Sequence, residues 1–314
     1  MSRKLKLSIF AAIAAASLWG VSTLSREAEQ IKRAAAAVQD PEKAIQNKEI
    51  VLEADVAYGQ MDGKQLLLDV MHLPGTSVRP ALLLLHGGGW QSGSKEQMRQ
   101  LAAGAAQMGY VSFAANYRLA SPSGNKWPAQ IDDVQRAVRW IRANARKYGV
   151  DPARVGVVGA SAGGHLAALL GTIDTRDNTD PMLAKYSSKV QCVVDFFGPA
   201  DFTARGQNGP TWQKAATIYN LFGKTPAEAP SVYQWASPVE HVSRTSAPFL
   251  IFHGTKDPLV PLEQSELLYK TLKKNGVDAK LVKMEGVGHG LGDQKQMMSV
   301  VFQTQIFLRK FLKG

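Results

Sequence analysis

From about residue 51 onward, apolar positions alternate between two periods. "IVLEADVAYG" and "KQLLLDVMHLP" carry strand character on either side of a "QMDG" turn, which predicts an antiparallel hairpin. "PALLLLHGG" is a short continuous apolar run, the pattern of a strand buried on both faces. "SKEQMRQLAAGAAQMG" has helical spacing and stops at Gly109, and "YVSFAANYR" reads as a strand. "WPAQIDDVQRAVRWIRANARKYG" puts Ile131, Val134, Val138 and Ile141 on one side of a helix that ends at Gly149. The alternation continues as strand "ARVGVVGAS", helix "AGGHLAALLG", strands "VQCVVDFFGP" and "APFLIFHGTKD", helix "PLEQSELLYKTLKKNG", strand "AKLVKMEG" and the terminal helix "QKQMMSVVFQTQIFLRKFLKG". Strands interleaved with helices predict an α/β domain over 51–314, with a mostly parallel central sheet, helices on both faces and an antiparallel edge. Residues 201–246 break the rhythm with no strand pattern, and they are read as a small cap or lid insertion.

The first fifty residues follow other rules. A basic start, "MSRKLK", precedes the apolar "LSIFAAIAAASLWGV" and the small residues "STLS". Residues 1–25 therefore read as a secretory signal peptide or, because Leu5 to Leu24 approaches spanning length, as an uncleaved membrane anchor. Either reading puts the domain outside the cytoplasm, periplasmic or secreted, with membrane contact confined to residues 5–24. Residues 26–50, rich in Ala, Glu, Lys and Gln, read as a helical spacer broken at Pro41.

With 314 residues, 45% of them hydrophobic, the chain can bury a large core as one domain. The formal charge is +11, and Arg3, Lys4 and Lys6 contribute to it from the extreme N-terminus. No basic stripe with interleaved aromatics is present, so a nucleic-acid partner is not expected. The single cysteine, Cys192, sits in an apolar run and reads as buried filler.

The chemistry gathers around "GASAG", Gly159 to Gly163. A serine nucleophile projects from a sharp strand-to-helix turn, and small residues two positions away on each side let strand and helix approach. Ser161 stands where a strand is expected to become a helix. "LLLLHGGGW" follows another buried strand, and its glycines would let backbone N–H groups face an oxyanion. His86 in that motif reads as a loop-bracing residue. A serine needs a histidine base, and the base needs a carboxylate. "FHGTKDPLVP" offers Asp257 and "MEGVGHGLG" offers His289, each just past a predicted strand. Weaker competitors are His72, His165, His241, His253 and Asp195, with Asp201 as the reserve acid.

"HGGGW" (86–90), "NYRLA" (116–120), "WPAQIDDVQRAVRWIRANA" (127–145), "GASAGGHLAA" (159–168), "HGTKDPLVP" (253–261) and "GVGHG" (286–290) together resemble the α/β-hydrolases, in the esterase/lipase branch with a His-Gly-Gly-Gly motif. The chain is similar to bifunctional acetylxylan and feruloyl esterases and to kynurenine formamidase-like hydrolases. Many hormone-sensitive-lipase relatives have Asp before the serine. Ala160 stands there in this chain, which argues against that subgroup and not against the fold. The resemblance implies an α/β-hydrolase fold, a triad of Ser161, Asp257 and His289, and oxyanion N–H groups from Gly88, Gly89 and Ala162. It implies a small-molecule or carbohydrate ester as substrate and no metal or organic cofactor. Trp90, Trp127 and Trp212, with Tyr219 and Trp235, are candidates for lining the substrate pocket, against core packing as the alternative. An amide hydrolase of the formamidase type and a non-catalytic binding protein on the same fold are the other readings. The sequence does not specify an oligomeric state.

Overall fold

A computed structural model of the chain describes residues 29–30, 32–34, 36–61, 63–75, 77–176, 180–203 and 216–313. The candidate signal or anchor (1–25), Trp212 and residues 204–215 of the expected insertion lie outside the described residues. Among the described residues, no helix is long and apolar enough to cross a membrane.

The leading hairpin forms as the alternation predicts. β1 (Val51–Met61) and β2 (Lys64–His72) pair antiparallel, and β2 then pairs antiparallel with β4 (Val111–Ala115). β3 (Arg79–Leu85), β5 (Val150–Ala160), β6 (Val193–Phe196), β7 (Phe249–Gly254) and β8 (Ala279–Met284) complete one eight-stranded sheet in the order β1-β2-β4-β3-β5-β6-β7-β8, with every pairing from β4 to β8 parallel. β1 carries two register irregularities, and Asp55 between its paired segments has φ 56°. At the opposite edge, β8 turns Lys280 outward, and Lys283 pairs with Glu266.

Both faces of the sheet are covered, and the continuous apolar strands follow from that. On one face Leu83, Leu85 and Val157 pack against α3 (Ala129–Ala143), α5 (Ala162–Thr172) and α8 (Leu262–Lys274). On the other, Leu82, Leu84 and Val158 pack against α2 (Arg99–Gln107) and α9 (Gln294–Leu312). Cys192 is fully buried in this second layer, and burial pushes its thiol pKa up. α3 stops at Asn144, a short helix α4 (Ala145–Tyr148) follows, and Gly149 closes it with φ 62°. α9 begins with a capping box between Asp293 and Gln296. The insertion contains α6 (Ala216–Phe222), α7 (Pro230–Trp235) and a 3₁₀ turn at Pro238–Glu240, and no strand among its described residues.

The segment read as a spacer is docked instead. Residues 32–34 and 36–39 are helical, and α1 (Pro41–Gln46) starts on an Asp40 cap with Pro41 in its first turn. Ala34, Ala37, Ala44 and Ile50 are buried, and Val38 lies against Gly104 of α2. Small alanines on one helical side allow this close approach, which the charged composition of the segment hides. The packed unit therefore begins well before Val51.

Charge is also buried beside the hairpin. Lys95, 2% exposed, opens the 3₁₀ turn that leads into α2, and its Nζ lies 2.7 Å from Asp69, 2.9 Å from Asp55 and 2.7 Å from Glu96. Asp69, 1% exposed, also accepts from the Asp55 N–H at 3.0 Å. These contacts bind β1, β2 and the start of α2 together. Lys95→Met would leave the buried Asp69 carboxylate with Arg99 Nη2, at 3.6 Å, as its cation, and we expect a loss of roughly 3 kcal/mol in urea unfolding. Lys95→Met with Asp69→Leu should recover most of it, and an unchanged midpoint for Lys95→Met would refute the assignment.

Candidate active site

The turn from β5 into α5 is set by close packing. A Cβ on Gly159 would lie 2.1 Å from the Gly163 carbonyl oxygen, and one on Gly163 would lie 2.2 Å from that of Leu85. Strand and helix touch because neither residue has a side chain. Ser161 between them takes φ 55°, ψ −117°, a strained conformation for a residue with a side chain. Its N–H donates to the Phe196 carbonyl at 2.8 Å and its carbonyl accepts from His165 N–H at 3.0 Å, so the turn is tied to β6 and to its own helix. The hydroxyl is left pointing out of the carboxyl end of the sheet.

Two neighbouring loops meet it there. The loop after β7 carries Asp257 and the loop after β8 carries His289. They are zipped by Lys256 N–H to Val287 O at 2.9 Å, Thr255 N–H to Met284 O at 3.0 Å and Gly286 N–H to Thr255 Oγ1 at 2.9 Å. His289 Nε2 lies 2.9 Å from Ser161 Oγ, and its Nδ1 lies 2.6 Å from Asp257 Oδ2. The Asp257 side chain is fully buried, and its Oδ1 accepts from the Leu259 and Val260 N–H groups at 2.8 and 2.9 Å. A fixed carboxylate of this kind selects the His289 tautomer with Nδ1 protonated, which leaves Nε2 to accept from the serine hydroxyl. The arrangement can move a proton from Ser161 onto His289 and hold the resulting cation.

Opposite, Gly87, Gly88 and Gly89 face the same cavity, about 560 Å³, which Gln91, Ser92, Gln97, Phe197, Thr217 and Leu259 complete. Gly88 and Gly89 have φ 109° and 58°, values that glycine adopts freely. Among the described residues, the N–H groups of Gly88, Gly89 and Ala162 bond to no acceptor. His86 braces the loop as its position suggests. Its Nδ1 lies 2.7 Å from Gly87 O, its ring stacks on Tyr117 at 4.3 Å, and Tyr117 donates to its carbonyl at 2.9 Å.

Of the competing residues, His253 lies beside the site, its Nε2 3.4 Å from Asp257 Oδ2, and none of the others is brought to the Ser161 hydroxyl. His72 sits in the hairpin against Leu73 O, and His241 bonds Trp235 O. His253 is buried between Ser265 and Val260 O, and burial lowers its pKa. Asp201 accepts from Thr203 and is not brought to His289.

Trp90 and Trp127 are a correction. Neither lines the cavity; both turn inward, 3% and 8% exposed. Trp90 leaves the glycine loop at φ 61°, and its indole N–H donates to His165 Nδ1 at 3.2 Å. Trp127 packs on His165 at 5.3 Å and on Trp235 at 5.5 Å. Rings this large gain more from mutual burial than from lining an open cleft. His165 Nε2 donates to Ala236 O at 2.7 Å, and burial pushes its pKa down to about 4, so it remains neutral inside this aromatic cluster.

Phe197 carried no signal beyond "FFGP", yet it borders the cavity and rests on the His289 ring at 4.5 Å. Its φ of 47° is strained, and Asp195 Oδ1 holds the turn by accepting from Gly198 N–H at 2.9 Å. Among the described residues, no cluster of three or more His, Cys, Asp or Glu could hold a metal ion.

The BD-FAE family model matches residues 68–272. The probable carboxylic ester hydrolase LipM of Mycobacterium tuberculosis is 35% identical over 68% of this chain and 50% of its own length. The chain spans about half the length of the curated relatives it matches. Among solved structures, a truncated carbohydrate esterase from gut microbiota superposes with TM-score 0.73 at 27% identity, covering 84% of this chain and 97% of that one. The butyrate-bound Est2 esterase of Thermogutta terrifontis gives TM-score 0.72 at 28% identity, covering 84% and 95%.

Asp195 supplies a pH test. Burial without a partner on Oδ2 raises its pKa from 3.8 to about 7, and the Gly198 N–H offsets part of the rise. The folded state keeps this proton where the unfolded state releases it, so stability falls as pH rises from about 4 to about 7 and then levels. Asp195→Asn keeps the acceptor for Gly198 and removes that fall. Its melting temperature should match the wild type at pH 4 and exceed it by several degrees at pH 8. A pH-independent difference would count against a buried, protonated Asp195.

Proposed function

The chain belongs to the BD-FAE family of the α/β-hydrolases, and from that premise we propose that it hydrolyses carboxylic esters through Ser161, His289 and Asp257. The observation that carries the reading is the unbroken hydrogen-bonded relay from Ser161 Oγ through His289 to Asp257, open at its serine end to the cavity.

In this reading Ser161 Oγ attacks the acyl carbonyl as its proton passes to His289 Nε2. The tetrahedral oxyanion is held by the N–H groups of Gly88, Gly89 and Ala162, each worth about 3 kcal/mol where water is excluded. His289 then gives the proton to the departing alcohol, while Asp257 stabilises the imidazolium. Water, deprotonated by the same His289, cleaves the acyl-enzyme and restores Ser161. A small-molecule or carbohydrate ester is the proposed substrate. Support for a sugar-bearing alcohol comes from the carbohydrate esterase among the structural neighbours and from the polar Ser92, Gln97 and Thr217 at the cavity wall. We also propose that the domain works outside the cytoplasm, a reading supported by the basic and apolar N-terminal residues.

Ser161→Ala should fold like the wild type, with the same melting temperature, and lose at least about 10⁴-fold in kcat on p-nitrophenyl esters from acetate to laurate. If the variant kept wild-type turnover, Ser161 would not be the nucleophile. If folded wild-type protein left the esters intact and cleaved N-formylkynurenine, an amide hydrolase would replace the esterase.

A further inference from the structure

A trans peptide points its carbonyl and the next N–H in opposite directions. Fixing a carbonyl behind the glycine loop therefore aims the following N–H. The Gly87 carbonyl is held by His86 Nδ1, which aims Gly88 N–H. The Gly88 carbonyl accepts from Gln91 N–H at 3.1 Å, Ser92 N–H at 3.0 Å and Ser92 Oγ at 3.0 Å, which aims Gly89 N–H. The Gly89 carbonyl accepts from one side-chain group, Gln91 Nε2, at 3.2 Å. This bond holds the peptide between Gly89 and Trp90, and Ala120 N–H to Trp90 O at 2.7 Å holds the next one, so the loop is anchored on the C-terminal side of its glycines.

The same amide reaches across to the insertion. Gln91 Nε2 also donates to the Thr217 carbonyl at 3.1 Å, and Gln91 Oε1 accepts from Asn220 Nδ2 at 2.8 Å. Both partners belong to α6. The Thr217 methyl sits 2.9 Å from where a Gly89 Cβ would be, so α6 packs directly on the loop. Behind it, α6 is fixed by Lys126 Nζ to Asn220 O at 2.7 Å and by Trp127 N–H to Leu221 O at 2.9 Å.

We infer that Gln91 is a positioning residue: its side-chain amide joins α6 to the peptide that follows Gly89 and so ties the seating of the glycine loop, which carries the oxyanion N–H groups, to the seating of α6. The inference rests on the esterase reading of this site. Gln91 bonds only to protein groups and touches no reacting atom. Its contribution belongs to the transition state, where charge develops on the oxygen, more than to substrate binding.

The test uses the full chain with p-nitrophenyl acetate, and inactivation by a p-nitrophenyl phosphonate, whose tetrahedral adduct places an oxygen among the same N–H groups. Gln91→Glu keeps the size of the side chain but sets a carboxylate oxygen against the Gly89 and Thr217 carbonyls. It should lower kcat and the phosphonate inactivation rate by about tenfold, with KM within about twofold and the melting temperature little changed. Asn220→Ala, which breaks the link from the α6 side, should lower both rates in the same sense, and the double variant should be no worse than the more impaired single one. The inference is overturned if Gln91→Glu or Asn220→Ala turns over at the wild-type rate while Ser161→Ala is inactive, or if the losses fall on KM and stability alone. Should the wild type hydrolyse no more ester than Ser161→Ala, the esterase reading fails, and this inference with it.

Discussion

The distance between α5 and the sheet governs the site. Gly159 and Gly163 bring helix and strand to backbone contact, and the turn between them has no room for a relaxed serine. Its left-handed backbone holds Ser161 clear of both elements. The strain is carried by the packing of the whole layer: Leu166, Ala167, Ala168, Leu169 and Leu170 of α5 are all buried. Gly164 extends the constraint to β6, because a Cβ there would meet Asp195 Oδ1 at 2.4 Å. A larger side chain at any of these positions would move the serine away from His289 by pushing the helix outward.

Around that contact, buried polar groups connect the loops that frame the site. Arg118 after β4 forms a forked pair with Asp133 of α3, and Gln130 donates to the carbonyls of Arg118 and Asn125. These bonds account for the "NYRLA" and "WPAQIDD" runs: the first supplies the arginine, the second the carboxylate and the amide. Tyr117 reaches from the same loop to His86. The glycine loop is thus braced through Tyr117 from one side and through Gln91 from the other.

Much of this was legible in the sequence. Strands buried on both faces, the hairpin, and Ser161, Asp257 and His289 each follow from a local pattern next to a strand end, and local patterns survive in one dimension. What was hidden depends on direction. Trp90 looks like a pocket residue because it follows the glycines, but a positive φ turns its ring inward. The alanines at 34, 37 and 44 look like spacer composition until a partner helix with Gly104 is set beside them. Gln91 and Phe197 matter through neighbours far away in the chain, and no spacing rule announces such contacts.

The hairpin edge has a further role. An open sheet ends in a row of unsatisfied N–H and C=O groups, ready to pair with any passing strand. β1 disrupts that row with two register breaks, and Asp55 turns away from the ladder to the Lys95 cluster. At the other end, β8 puts lysines on its exposed positions. Both edges of the eight-stranded sheet thus carry features that disfavour lateral pairing with another strand.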